Sequence, residues 1–427
     1  MNYYNPMKKS ILFFIPCFLL VAASFIACSD KEDNDNNDAY KSEKTLVDMI
    51  PKKTPIKLTD VQKTYVKANN NFSFELFRQT CEKNKSSVLS PLSVTYVLGM
   101  LNDGAEGTTA WQIMKVLGFE GTDKTAVNEF CANLIENAPK VDPNVRLNLA
   151  NAIFLNASRG IHLLPDYQQD MKRYYHAEAQ SLEFADPSAV KTINQWCDRQ
   201  TNGMISKILN ETDPDMLICL LNAIYFKATW TDKFNPEHTT DQTFTKEDGT
   251  TLKLPLMHRH ANVMGAHYKN FTSICLPYSS GAFQMYLFLP DEYVTTKQVL
   301  DNLNADSFEQ MKAEMYPKST DVRIPRFTTT VDDLDLKKSL KKMGVIDAFT
   351  TDAQFPYITS QNVYVSLIKQ AAKIIVNEEG TEAAAVTVAN GYATGESTDF
   401  IANRPFVYLI QEATSGAIFF IGTYMGD

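Results

Sequence analysis

Three observations in the sequence predict an α+β fold. Beyond residue 57, helical periodicity comes first along the chain and strand-like apolar runs follow, which is the segregated order of that class. No Gly/Ser/Pro-rich linker and no internal repeat divides residues 57–427, so one large domain is expected there, although 427 residues alone would allow two or three. Apolar residues make up 44%, with 25 Phe and 19 Tyr, enough to fill a large core.

Taken in chain order, the first 27 residues read as an export signal: Lys8 and Lys9 precede an apolar run from Ile11 to Ala27. Phe25-Ile26-Ala27-Cys28 resembles a bacterial lipobox, which would make Cys28 the acylated N-terminus. An uncleaved anchor and a plain secretion signal are the alternatives. Residues 29–38 hold five acids and nothing apolar, so residues 28–56 are expected to form an acidic, solvated tether. Such an acidic stretch also resembles the signals of surface lipoproteins in some Gram-negative bacteria. The expected location is the outer membrane, at the cell surface or on its periplasmic side, reached through the lipid anchor alone. Removing the leader's two lysines takes the net charge from −9 to −11.

Val61 to Thr80 places Val61, Tyr65, Ala68, Phe72 and Leu76 on one helical stripe. Ser90-Pro91 reads as an N-cap and first helical position, opening a helix to about Leu101. Thr108 to Leu117 is a further helix stopped by Gly118, and Ala189 to Arg199 is another. Val145 to Leu155 alternates as a strand does, and Leu217 to Phe226 is a long apolar run fit for a strand buried on both faces. Phe283 to Pro290, Asp321 to Phe327 and Val363 to Val376 are strand-like. Leu334 to Met343 reads as an amphipathic helix ended by Gly344. Val407 to Gln411 and Ala417 to Thr423 read as a closing hairpin.

The acid excess argues against a nucleic-acid binder. Of the seven cysteines, the five beyond Cys28 are odd in number and widely spaced, without a CxxC, so neither a disulfide framework nor a zinc site is indicated, though one pair is allowed. There is no GxSxG, HExxH, P-loop or GxGxxG, and no cofactor or metal is expected. His258 and His260 share one strand face and could hold a metal; a solvated surface pair is the plainer reading. An enzyme is not supported.

One segment stands apart. After Glu378-Glu379-Gly380 come Thr381, Ala383, Ala385, Thr387, Ala389 and Gly391 in one phase, none charged and none larger than Thr. The other phase holds Glu382, Ala384, Val386, Val388 and Asn390. Because successive strand residues face opposite sides, the stretch could enter a sheet with its small face inward. Its Glu-Ala-Ala-Ala core equally allows a helix, and a flexible linker is a third reading.

The chain resembles the serpins over residues 60–427. The ordered stretches that carry the likeness are Asn71 to Phe77, Leu89 to Ser93, Leu149 to Phe154, Ile193 to Trp196, Thr201 to Gly203 and Asn222 to Lys227 with Trp230. They continue with Ile324 to Phe327, Leu340 and Gly344, Glu378 to Ala385 and Asn403 to Phe406. The resemblance implies three β-sheets, eight or nine helices, an exposed reactive-centre loop, and a monomer that traps serine proteases irreversibly by inserting its cleaved loop into the main sheet. The hinge would be Glu378, Glu379, Gly380, Thr381, Glu382, Ala383, Ala384 and Ala385. Ser90, Ser93 and Asn222 match the family's shutter, where Gln370 departs from the His of many relatives, and Trp230 matches its breach. The plainer readings are helix capping for the serines and an ordinary core aromatic for Trp230.

Fourteen residues after Gly380 and eleven before Pro405 both give Thr394-Gly395 as the scissile bond on the family's spacing, within one or two positions. Ala393 and Thr394 are small and suit an elastase-like protease; a cut after Tyr392 would suit a chymotrypsin-like one, and cysteine proteases are secondary candidates. No Lys or Arg lies between Gly380 and Ile401, so trypsin-like targets are not expected. The second function class is a non-inhibitory serpin that acts as a surface binding or structural protein.

Overall fold

The computed structural model describes residues 53–381 and 398–427, all within the second of the chain's two units, Leu46–Asp427. Among the described residues are nine α-helices and fifteen strands, an α+β architecture.

Helix α1 (Asp60–Thr80) starts at a capping box, in which Thr59 and Gln62 satisfy each other's backbone N–H groups, and buries Val66, Phe72, Phe74, Leu76 and Phe77. Strand β1 (Ser87–Leu89) leads to α2 (Pro91–Gly104), which is buried along its whole length. Helix α3 (Gly107–Leu117) stops at Gly118, whose φ of 74° is the left-handed turn expected of a C-terminal glycine. Then follow α4 (Lys124–Asn137), β2 (Arg146–Asn156), α5 (Pro165–Tyr175), β3 (Glu178–Leu182), α6 (Ser188–Gln200) and β4 (Ile218–Thr229). The middle of the chain supplies β5 (Thr240–Thr245), β6 (Thr251–Tyr268), β7 (Phe271–Tyr278), β8 (Phe283–Pro290), α7 (Thr296–Asp301) and α8 (Ala305–Glu314). The last third supplies β9 (Tyr316–Pro325), β10 (Phe327–Asp335), α9 (Lys337–Met343), β11 (Val365–Val376), β12 (Gly380–Thr381), β13 (Thr398–Ile401), β14 (Phe406–Glu412) and β15 (Ile418–Tyr424).

The strands form two hydrogen-bonded bodies. One runs β1-β15-β14-β8-β7-β6-β9-β13, with β5 also on β6; the other runs β10-β11-β4-β2-β3, with β12 on the far end of β4. The three sheets implied by the resemblance are two by hydrogen bonding because the 18-residue β6 serves both halves of the larger body. Its start pairs with β5, its middle with β9 and its end with β7. A large core fills the space between the two bodies and their helices, and a smaller one, built on Phe154, Trp196, Cys219 and Leu221, lies under α6.

Two sequence boundaries shift. The stretch Asp321–Phe327 is not one strand but the junction of β9 and β10, broken at Arg326, whose N–H turns to the carbonyl of Pro255. Leu334 does not open a helix: it pairs with Gln370 in β10, and α9 begins at Lys337. Edge pairing to β11 overrides local amphipathicity there.

Candidate functional site

The centre of the smaller sheet is a parallel pair, β11 beside β4, with Gln370 opposite Asn222. Both strands are apolar because both faces are covered. Ile218, Leu220, Ile224, Phe226 and Ala228 face the large core from β4, while Cys219, Leu221 and Ala223 face the smaller one. Asn222 and Gln370 interrupt these faces with polarity and are 1% and 0% exposed, so each needs partners.

They find them at the start of α2. Gln370 Nε2 donates to the Ser90 carbonyl (2.8 Å) and to Asn222 Oδ1 (3.3 Å), while its Oε1 accepts the Ser90 N–H (2.8 Å). Asn222 Nδ2 donates to the Ala150 carbonyl and to Asn151 Oδ1 (2.9 Å), which ties β4 to β2. Ser90 holds the N-cap position with Pro91 after it, as the sequence predicts. Its hydroxyl, however, makes no cap bond and donates instead to Ser93 Oγ (2.9 Å), which corrects the plain capping reading. Gln370 of β11 thus clasps the backbone of Ser90, while the Ser90 hydroxyl turns to Ser93. The amide of Gln370 fills both its donor and acceptor roles on one backbone unit.

Beyond β11 the chain turns tightly. The Asn377 N–H donates to the Gly380 carbonyl and the Gly380 N–H to the Asn377 carbonyl. Gly380 has φ 143°, and a Cβ there would lie 2.6 Å from Thr229 Cα and 2.8 Å from Trp230 N, so only glycine lets the hinge lie this close to β4. Thr381 is buried opposite Ala228, and its hydroxyl lies 3.0 Å from Tyr278 Oη. Tyr278 stacks on Trp230 at 4.3 Å and 12°. Burial holds the Tyr278 hydroxyl well above the usual tyrosine range, so it stays protonated. Trp230 Nε1 donates to the Asn377 carbonyl (2.9 Å), and the N–H groups of Trp230 and Phe234 donate to the carbonyls of Glu379 and Glu378. Trp230 is therefore both a core aromatic and the frame on which the hinge hangs.

The two hinge acids are anchored. Glu378, 5% exposed, takes two guanidinium bonds from Arg326 and one from the Thr239 hydroxyl (2.6 Å). Burial acts to raise its pKa; the bonds from Arg326 and Thr239 and the guanidinium charge outweigh that and hold the carboxyl below its ordinary value. Glu379 pairs with Lys233 Nζ at 2.6 Å. Sequence reasoning missed Arg326, Thr239, Lys233, Tyr278 and Asn151. Arg326 and Asn151 sat inside stretches that carried the family likeness, which was the one signal for them.

Of the predicted site residues, the structure brings together Ser90, Ser93, Asn222 and Gln370 in one cluster, and Trp230, Glu378, Glu379, Gly380 and Thr381 in a second. Glu382, Ala383, Ala384, Ala385, Tyr392, Ala393, Thr394, Gly395 and the lipidation candidate Cys28 lie outside the described residues. Cys81, Cys131, Cys197, Cys219 and Cys275 are all free, so the allowed disulfide is not formed. His258 and His260 do share a face, but both turn to Asp321 Oδ1, at 3.0 and 3.4 Å, and no metal-holding group of three is found among the described residues.

This arrangement has known counterparts. The family model described as "Serpin (serine protease inhibitor)" matches residues 67–426. Human glia-derived nexin is 31% identical over 375 residues, covering 83% of this chain and 91% of its own. Iripin-2 of Ixodes ricinus is 32% identical over 367 residues, covering 83% and 92%. The native-state structure of the thermophilic serpin tengpin superposes with a TM-score of 0.79 at 28% identity, covering 90% of this chain and 99% of that one. Human thyroxine-binding globulin does so with a TM-score of 0.78 at 27% identity, covering 85% and 98%. Serpins are mostly protease inhibitors and not catalytic enzymes. A model match across most of the chain, two relatives above 30% identity and the same fold together show that this chain belongs to the serpin family.

Proposed function

We propose that this serpin is an irreversible suicide-substrate inhibitor of elastase-like serine proteases, acting from a lipid anchor at Cys28 on a bacterial outer membrane. The observation that carries the reading is the register of the hinge. Thr381 lies opposite Ala228 on the core-facing side of β4, and the two strands run antiparallel. Continuing that register sets Ala383, Ala385, Thr387, Ala389 and Gly391 opposite Phe226, Ile224, Asn222, Leu220 and Ile218, all on the same side. Every residue that would turn inward is small and uncharged, as burial beside a core requires.

The chemistry follows the family's mode. The protease serine attacks the Thr394 carbonyl, an ester forms, the Thr394–Gly395 peptide bond breaks, and Gly395 leaves as the new amine. The freed segment then enters between β11 and β4. These two run parallel, and a strand returning from the Gly380 turn is antiparallel to both. Insertion thus replaces one parallel ladder with two antiparallel ones, the more stable pairing per residue. Both β4 and β11 are 12 residues long, and the 14 residues from Thr381 to the proposed cut are enough to span them.

Mixing the chain with elastase tests this. The expected result is an SDS-stable complex, with mass spectrometry placing the new C-terminus at Thr394. Elastase that cuts there and leaves fully active refutes the reading. The likeness to thyroxine-binding globulin favours a second reading, a non-inhibitory binding serpin. In that case loop cleavage would leave the unfolding temperature unchanged, because no strand would be added.

A further inference from the structure

We propose that the cleft beside the short edge strand of the smaller sheet binds a neutral saccharide. Strand β3 pairs only with Ala152–Asn156 of β2, so the first half of β2 has β4 on one side and no strand on the other. The space left there measures about 1160 Å³ and is walled by α5 and by the end of α6. It lies at the β3 end of the sheet, with β2 and β4 between it and β11. Ordinary small-ligand sites hold about 300–1,000 Å³, so this one suits an oligomer of a few rings.

The first feature that favours a sugar is the balance of polar groups. Six of the lining side chains are carboxamides, and only Lys172, His176 and Glu178 can carry charge. Glu178 already takes the Gln180 amide and faces Arg199 at 3.7 Å, and His176 faces Glu136 at 3.7 Å. Lys172 is left as one exposed cation on α5, which makes no demand for an ionic ligand.

The second feature is that the carboxamides are held by one end. Asn148 Nδ2 donates to the Gln200 carbonyl (2.6 Å) and to Gln200 Oε1 (3.0 Å), Gln168 Nε2 donates to the Ala179 carbonyl (3.0 Å), and Gln180 Nε2 donates to Glu178 Oε1. Asn148 Oδ1, Gln168 Oε1 and Gln180 Oε1 remain as acceptors without a donor among the described residues, and Gln200 Nε2 remains as a donor without an acceptor. Such fixed amides need a ligand whose groups both give and accept hydrogen bonds, as hydroxyls do.

The third feature is Trp196. It is 1% exposed, its ring packs edge-on against Phe154 at 6.4 Å, and it lines the cleft. Its Nε1–H donates to none of the described residues, whereas a buried indole N–H ordinarily has an acceptor. The little surface it keeps opens on the cleft, so the acceptor it lacks has to come from there. An extended peptide is the competing ligand; it is disfavoured because Gln168 already holds the Ala179 carbonyl of the edge strand.

The test is isothermal titration of the full, uncleaved chain with maltotriose, cellotriose, chitotriose and mannotriose, each to about 10 mM, with tetraalanine as the peptide control. Saturable one-to-one binding of at least one trisaccharide, with a Kd of about 1 mM or tighter, and none of tetraalanine is expected. Trp196→Phe keeps an aromatic ring against Phe154 and deletes the N–H, and should weaken the best sugar about threefold to tenfold. Gln168→Ala, on the exposed face of α5 where folding is not at risk, should weaken it several-fold. Circular dichroism of each variant confirms the fold. No saturable binding of any of the four trisaccharides, tetraalanine binding as strong as the best sugar, or undiminished affinity in either folded variant overturns the proposal.

Discussion

Replacing Gln370 by Met tests the shutter, because Met matches Gln in length and volume and so removes hydrogen bonds without opening a cavity. Three bonds disappear: two to the Ser90 backbone and one to Asn222 Oδ1. Their losses are unequal. The Ser90 carbonyl keeps the N–H of Val94 as a donor at 3.3 Å. The Ser90 N–H and Asn222 Oδ1 have no other partner among the described residues and are buried. Two stranded polar groups cost about 1–3 kcal/mol each, and burying a thioether in place of an amide returns roughly 1–2 kcal/mol. The net is a loss of about 3 kcal/mol. For a domain of this size the unfolding entropy is roughly 0.8 kcal/mol per kelvin, so the midpoint should drop by ~4 °C. Thermal unfolding followed by circular dichroism, at a fixed scan rate, measures it. The closed β4–β11 seam should also open faster, seen as quicker loss of inhibitory activity on warming. A midpoint within ~1 °C of the parent would show that the clasp on Ser90 does not hold the seam, and would refute the reasoning.

Gln370→His should make stability pH-dependent: a histidine in this buried cluster has its folded pKa depressed by desolvation, so its contribution is lost as pH falls through the unfolded value of about 6.5, while the parent position is flat. Glu378→Gln should cost about 1–2 kcal/mol, since Arg326 is half exposed and the pair is partly screened. Because the Glu378 carboxyl is held low, its contribution is present above the ordinary carboxylate range, about 4.3, and vanishes as pH falls below it, where parent and variant midpoints should converge. Thr381→Arg would put a cation opposite Ala228 against Tyr278, and should shift the outcome with elastase from SDS-stable complex toward plain cleavage, measured as moles of inhibitor consumed per mole of enzyme trapped.

The hinge is where sequence and structure divide the argument most evenly. The alternation of small residues from Thr381 to Gly391 was readable as a potential inward face, but the same residues also allowed a helix or a linker. The structure places only the first of these residues, Thr381, opposite Ala228, a contact made possible by the close approach at Gly380. The latch on Glu378 was not readable at all. Its partners Arg326 and Thr239 lie 52 and 139 positions away, and nothing local to either marks them as a pair.

The sequence by itself determined the α+β class, the helices α1, α3 and α6, the strands β2, β4, β8 and β11, the closing hairpin and the family. Each is written in a local code: a 3.6-residue stripe, a continuous apolar run, or a glycine able to take positive φ, as Gly118 and Gly344 do. Only the tertiary structure decided that Asp321–Phe327 breaks at Arg326, that Leu334 belongs to a strand, and that the backbone of Ser90 is clasped by Gln370. Those outcomes depend on partners brought together across the fold, such as Ser90 and Gln370 at a separation of 280 residues. Buried polar groups take whichever partner the packing delivers, and a periodic pattern along one segment carries no record of it.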